Sequence, residues 1–230
     1  LVQSDIARID HFRGFAGYWE IPATEETAVK GRWVDGPGIP FFQAIQERMG
    51  DLPIIAEDLG VMTPDVEELR DRFAFPGMKI LQFAFGGEQN SDFLPFNFVP
   101  NSVVYTGTHD NETTLGWYLN ASEAERDHAR RYMGISGRDV VWDLIRLAYA
   151  SVSVMAIIPM QDLFVMGNEA RMNYPGKEGG WWQWRYTREM FAARAPGIAL
   201  GLTELTKLFG RAPAEPAEEE TAPDEPPVTE

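Results

Sequence analysis

The stretch "LPIIAED", residues 52–58, passes from apolar to doubly charged within seven residues. Ile54, Ile55 and Ala56 do not alternate with polar residues, so both faces of the segment must be covered. That is the pattern of a strand inside a parallel sheet with helices on both sides. Four other segments repeat it: "IARID" (6–10), "MKILQFAF" (78–85), "SVVYTGTHD" (102–110) and "VSVMAIIPMQD" (152–162). Four of the five end in polar groups, namely Asp10, Glu57 with Asp58, His109 with Asp110, and Gln161 with Asp162. In a (β/α)₈ barrel the C-terminal strand ends form the rim on which active sites are built.

Helical stretches lie between these strands. They are expected over 39–49, over 64–73 after Thr63 and Pro64, over 123–132 with a Ser122/Glu125 capping box, over 137–149, and over 184–194 and 198–209. The β/α alternation implies a parallel sheet with right-handed crossovers. Five strands do not close a barrel, so the expected fold is α/β: the last five β/α units of a (β/α)₈ barrel, spanning residues 1–211, with the first three units absent. Residues 212–230, "APAEPAEEETAPDEPPVTE", hold seven acids and no base, and this acidic Pro/Glu-rich tail is expected to be disordered.

Charge narrows the partners. Removing the tail's seven acids from the net −15 leaves −8, which argues against nucleic acid or an anionic membrane surface as partner. No apolar run is long enough to span a bilayer, and the absence of cysteine excludes disulfides and thiolate metal sites and fits the cytoplasm. With only three histidines, a metal site at the "HDN" pattern is not expected. "GGEQN" (86–90) reads as an ordinary turn.

Three strand-end carboxylates, Asp10, Glu57 and Asp110, are the groups that retaining cleavage of a glycosidic bond requires. One attacks the anomeric carbon, and a second, about 5–5.5 Å away, protonates the leaving oxygen and later deprotonates the acceptor. A third favours the developing positive charge. Asp10 lies between Arg8 and Arg13, whose cations favour an ionised nucleophile, whereas the apolar run before Glu57 favours a protonated acid. Asp58 points to the opposite side of its strand and reads as a structural anchor. Trp19, Trp33, Trp117, Trp181, Trp182 and Trp184 fall in expected loops or near strand ends, where rings can stack on sugar faces. Each of these features has a plainer explanation. A lone strand-end Asp is more often a cap or an ion-pair partner, a single Trp more often packing, and His109 divides evenly between packing and ligand contact. Their co-occurrence on separate strands favours a carbohydrate site.

The motifs "RIDHFRGFAGYWEIPA", "GRWVDGPG", "IIAEDLGVMTPDV", "PGMKILQFAF", "VVYTGTHDNETTLGWY" and "QDLFVMGNEARMNYPG" together resemble the amylomaltases, or 4-alpha-glucanotransferases, over residues 6 to about 210. The resemblance implies a decorated (β/α)₈ barrel that moves α-1,4-glucan segments to the 4-hydroxyl of glucose or another glucan, without a metal or organic cofactor. It implies Asp10 as nucleophile, Glu57 as general acid/base and Asp110 as the acid that stabilises the transition state. It also implies sugar contacts from Arg8, His11, His109 and Phe83, to which Asn111 and Trp19 are added here. The chain departs from the family at Gly86, at Pro95–Phe96–Asn97 and at Gly180–Trp181–Trp182, and it lacks the family's long N-terminal half. The α-amylase-type hydrolase and the inactive carbohydrate-binding fragment stand as alternatives to the transferase. The sequence names no protein partner.

Overall fold

Ile54, Ile55 and Ala56 are buried on both sides, as a covered inner strand requires. Ile54 and Ala56 join Phe12, Phe42, Val66, Leu69 and Phe75 in one apolar cluster, while Ile55 joins Met78, Ile80, Val103 and Tyr105 in another. The computed structural model describes residues 3–87 and 91–213. The acidic stretch from residue 214 onward and three residues of the "GGEQN" turn lie outside the described residues.

The main sheet is parallel and falls into two ladders. Strand β1 (Ala7–Ile9) pairs with β4 (Ile54–Ala56), in register Ala7↔Ile54 through Ile9↔Ala56. Strand β5 (Gly77–Ile80) pairs with β6 (Ser102–Tyr105), which pairs with β7 (Met155–Ile157). Between β4 and β5 regular pairing gives way to the Ala56 N–H donating to the Pro76 carbonyl at 3.0 Å. Asp58 spans the same gap. Its carboxylate accepts from the Met78 N–H at 2.7 Å and pairs with Arg70 at 2.7 Å, its side chain only 5% exposed. It is thus the structural anchor expected from its parity opposite Glu57. A Cβ at Gly77 would run into this carboxylate, so Gly77→Ala should cost about 2 kcal/mol, read as a lower midpoint in urea unfolding.

The helices follow the expected order with different limits. They are α1 (Gly38–Met49), α2 (Pro64–Arg72), α3 (Thr114–Asn120), α4 (Glu123–Met133), α5 (Val140–Ala150), a short α6 (Met160–Leu163) and α7 (Arg188–Leu208). Helix α5 starts three residues later than expected because Gly137, with φ 78°, turns the chain before it. Helix α7 is continuous where two helices were expected. Pro196 removes a hydrogen bond at exposed Ala192, whose carbonyl water can serve. The Ser122 hydroxyl caps α4, but Glu125 does not return the bond, since its carboxylate accepts from the Trp117 indole at 2.9 Å.

Three expectations are corrected. The strand read over 78–85 ends at Ile80, and Leu81–Phe85 form a 3₁₀ turn that buries Leu81, Ala84 and Phe85 at helical spacing. Trp117 is not a loop ring but lies buried in α3 against Phe85. The alternation is interrupted by an antiparallel pair, β2 (Gly17–Glu20) with β3 (Arg32–Asp35), in which Trp19 faces Trp33 with ring centroids 5.6 Å apart.

Candidate active site

The ladder β1–β4 sets two of the three carboxylates side by side. Its last pair is Ile9↔Ala56, so Asp10 and Glu57 are the next residue on each strand. The chain bonds continue past them, with the Glu57 N–H donating to the Ile9 carbonyl at 2.9 Å and the Phe12 N–H to the Glu57 carbonyl at 3.0 Å. The Glu57 carboxylate accepts from the His11 N–H at 2.7 Å and the Leu59 N–H at 3.0 Å. The apolar setting expected for Glu57 is therefore not found: its side chain is half-buried, and both oxygens face backbone donors.

Asp10 is exposed and pairs with Arg8 at 2.8 Å. Arg13, the other cation expected beside it, instead donates to the Val61 carbonyl at 2.8 Å and lies 4.7 Å over the Trp33 ring, fastening the hairpin to the β4 loop. Arg8 also donates from Nε to the Met78 sulfur at 3.3 Å. It thereby crosses beneath the β4 end to β5. His11 holds a left-handed backbone, φ 47° and ψ 49°, which costs a non-glycine residue energy. The bond from its N–H to Glu57 supports it there.

His109 and Asp110 stand on the loop after β6. The His109 Nε2 is 3.5 Å from Asp110, and Trp182 covers the imidazole at 5.1 Å between centroids. Asp110 also accepts from the Asn173 amide at 2.7 Å, and its carbonyl accepts from Arg171 at 2.8 Å. No local sequence pattern assigns Arg171 or Asn173 a role. Both lie in "ARMNYPG", where only their position in a motif-rich block marked them.

The remaining expected contacts each have a partner within the chain. The Asn111 carbonyl oxygen is taken by the Thr108 N–H and hydroxyl, both at 2.8 Å, so its acceptor shapes its own loop. Phe83 is exposed and edges onto Phe93 at 5.2 Å. Trp19 sits on the hairpin with its indole N–H on the Ala28 carbonyl at 2.9 Å.

A family model described as 4-alpha-glucanotransferase matches residues 1–190. The chain belongs to the 4-alpha-glucanotransferase family. A curated 4-alpha-glucanotransferase of Synechocystis is 50% identical over 210 residues, covering 90% of this chain and 41% of the relative. Another, of Thermus thermophilus, is 55% identical over 188 residues, 78% of this chain and 38% of the relative. A solved structure, amylomaltase from Streptococcus agalactiae in complex with acarbose, superposes with a TM-score of 0.85 at 40% identity, over 90% of this chain and 41% of that one. The chain thus spans about two fifths of the length of the 4-alpha-glucanotransferases it matches. The resemblance drawn from the motifs holds, and the α/β fold is one shared with amylomaltases. No helix among the described residues is long and apolar enough to cross a membrane.

Proposed function

We propose that residues 1–211 form the C-terminal part of a (β/α)₈ barrel whose reaction is retaining α-1,4-glucan transfer, in the cytoplasm. The observation that carries the reading is the β1–β4 register, which makes Asp10 and Glu57 neighbours on adjacent strand ends in a member of this family.

Asp10 attacks the anomeric carbon of the donor glucan. The glycosidic C–O bond breaks as Glu57 gives its proton to the leaving oxygen. The 4-hydroxyl of glucose or another glucan then attacks the glycosyl-enzyme, Glu57 takes the hydroxyl proton, and Asp10 leaves as a carboxylate. Asp110, steadied by Asn173, favours the positive charge on the sugar ring. Arg8 holds Asp10 in place, and His11, His109, Phe83, Asn111 and Trp19 line the approach of the sugar. The reaction moves one α-1,4-glucan segment between two hydroxyls and consumes nothing else.

The test is an incubation with maltotriose, read by chromatography. A ladder of longer maltooligosaccharides with glucose, absent in an Asp10→Asn chain, is the expected result. Maltose and glucose without longer products would replace the reading with hydrolysis. No product from folded chain would leave a sugar-binding fragment.

A further inference from the structure

We propose that Asp162 is a positioning residue for Asp110, the fastening that holds the whole loop Gly107–Thr113 at the strand end; this rests on the reading of Asp110 as a transition-state stabiliser. Asp162 is 1% exposed, and the reaction just described does not use it. One carboxylate oxygen accepts from the Thr106 hydroxyl at 2.6 Å and the Thr114 hydroxyl at 2.7 Å, and the other accepts from the Thr114 N–H at 2.8 Å. Thr106 and Thr114 are the residues on either side of the loop, and both are fully buried. A single side chain therefore pins the loop at its two ends.

Packing alone does not fix the loop. Gly107 and Thr113 are buried, but the middle of the loop borders a partly open pocket of about 110 Å³, bounded by His109, Asn111, Gln161, Asp162 and Arg171 among others. Directed bonds supply the rest, one of them from the Gln82 amide to the Glu112 carbonyl at 2.9 Å. The segment that starts with Asp162 supplies several of them. Asn168 donates to the Glu112 carboxylate at 2.6 Å and accepts from the Thr113 N–H at 3.3 Å, while Arg171 and Asn173 reach Asp110 itself. Burial drives the Asp162 pKa above its ordinary value, and the bonds from Thr106 and Thr114 oppose that shift. The carboxyl is retained at a cost in desolvation, as befits a group kept for geometry.

Asp162→Asn keeps an acceptor for the Thr114 N–H and replaces the two charge-assisted hydroxyl bonds by weaker ones donated from its NH₂ group to those hydroxyls, loosening the loop without emptying the site. Thr106→Val removes one leg at constant shape and serves where Asp162→Asn folds poorly. The chain has three histidines, and the imidazole C2–H signals report on the loop directly: His109 lies on it, whereas His128 packs against Phe85 elsewhere. In folded variants the His109 signal should move while that of His128 stays. In maltotriose transfer kcat should fall about ten- to a hundredfold with KM within about twofold, since the loss falls on the transition state. A folded Asp162→Asn chain with an unmoved His109 signal overturns the proposal, and so does a moved signal with unchanged kcat. Should the unaltered chain carry out no transfer, the functional reading fails for it, and the His109 signal alone decides the positioning.

Discussion

Transfer from maltotriose should fall at least about a thousandfold in Asp10→Asn, and by about 10²–10⁴-fold in Glu57→Gln, where the proposed general acid and base is lost. The two losses have different structural consequences. Asp10 is exposed and, among the described residues, bonded only to Arg8 through one oxygen, so an amide can keep that contact, and the variant should unfold where the unaltered chain does. Glu57 is otherwise engaged. Its two oxygens accept two separate backbone N–H groups, and glutamine offers only one oxygen. Either His11 or Leu59 loses its acceptor, so Glu57→Gln should also cost about 1–2 kcal/mol of stability. If the freed residue is His11, its left-handed backbone loses its support. A donor with a fluoride leaving group separates the roles, because its departure needs no proton. Glu57→Gln should form the glycosyl-enzyme from maltosyl fluoride and stall there, whereas Asp10→Asn should form none. Equal loss on both donors would remove Glu57 from proton transfer and leave it as a support for His11.

Continuous burial made β4 and β6 legible as sequence, because an inner strand leaves a nearly unbroken apolar run. Strands β1, β5 and β7 showed it less fully, since Arg8 and Lys79 interrupt β1 and β5 and β7 is only partly buried. The same signal misled at their ends. Leu81, Ala84 and Phe85 continue the apolar run of β5 yet belong to a 3₁₀ turn, since composition does not separate a buried strand from a buried turn of helix. The β2–β3 hairpin left no such trace. Its residues are mostly polar or aromatic and mostly exposed, and residues 21–31 separate the two strands, so neither alternation nor a short turn announced it. At the site, residue types pointed to the three carboxylates but not to their surroundings. The apolar residues before Glu57 spoke for burial, whereas its actual partners are backbone groups of His11 and Leu59, which no residue type encodes. Asn173 and Arg171 reach Asp110 from more than sixty positions along the chain, a distance over which no local pattern carries.

Phe12→Ala should be the most damaging substitution in the β1–β4 region, at about 3–5 kcal/mol, enough to rival the whole stability of a marginal domain. Phe12 is fully buried and touches three rings: Phe42 at 5.6 Å, Phe75 edge-on at 6.0 Å and Phe15 at 6.1 Å. Those rings come from α1, from the segment before β5 and from the turn after His11, so no one element can collapse into the space that alanine leaves. The consequence reaches the site as well. Phe12 follows His11 directly, and its N–H donates to the Glu57 carbonyl at 3.0 Å. The ring is the apolar weight that holds this backbone turn down. Phe12→Leu, which retains most of the volume, should lose about 1–2 kcal/mol and keep the turn. Urea unfolding of the two variants separates packing from placement. If transfer per folded molecule in Phe12→Leu matches the unaltered chain while Phe12→Ala falls severalfold, the core under β1 and β4 fixes His11 and Glu57. If both variants transfer at the unaltered rate per folded molecule, Phe12 serves stability alone.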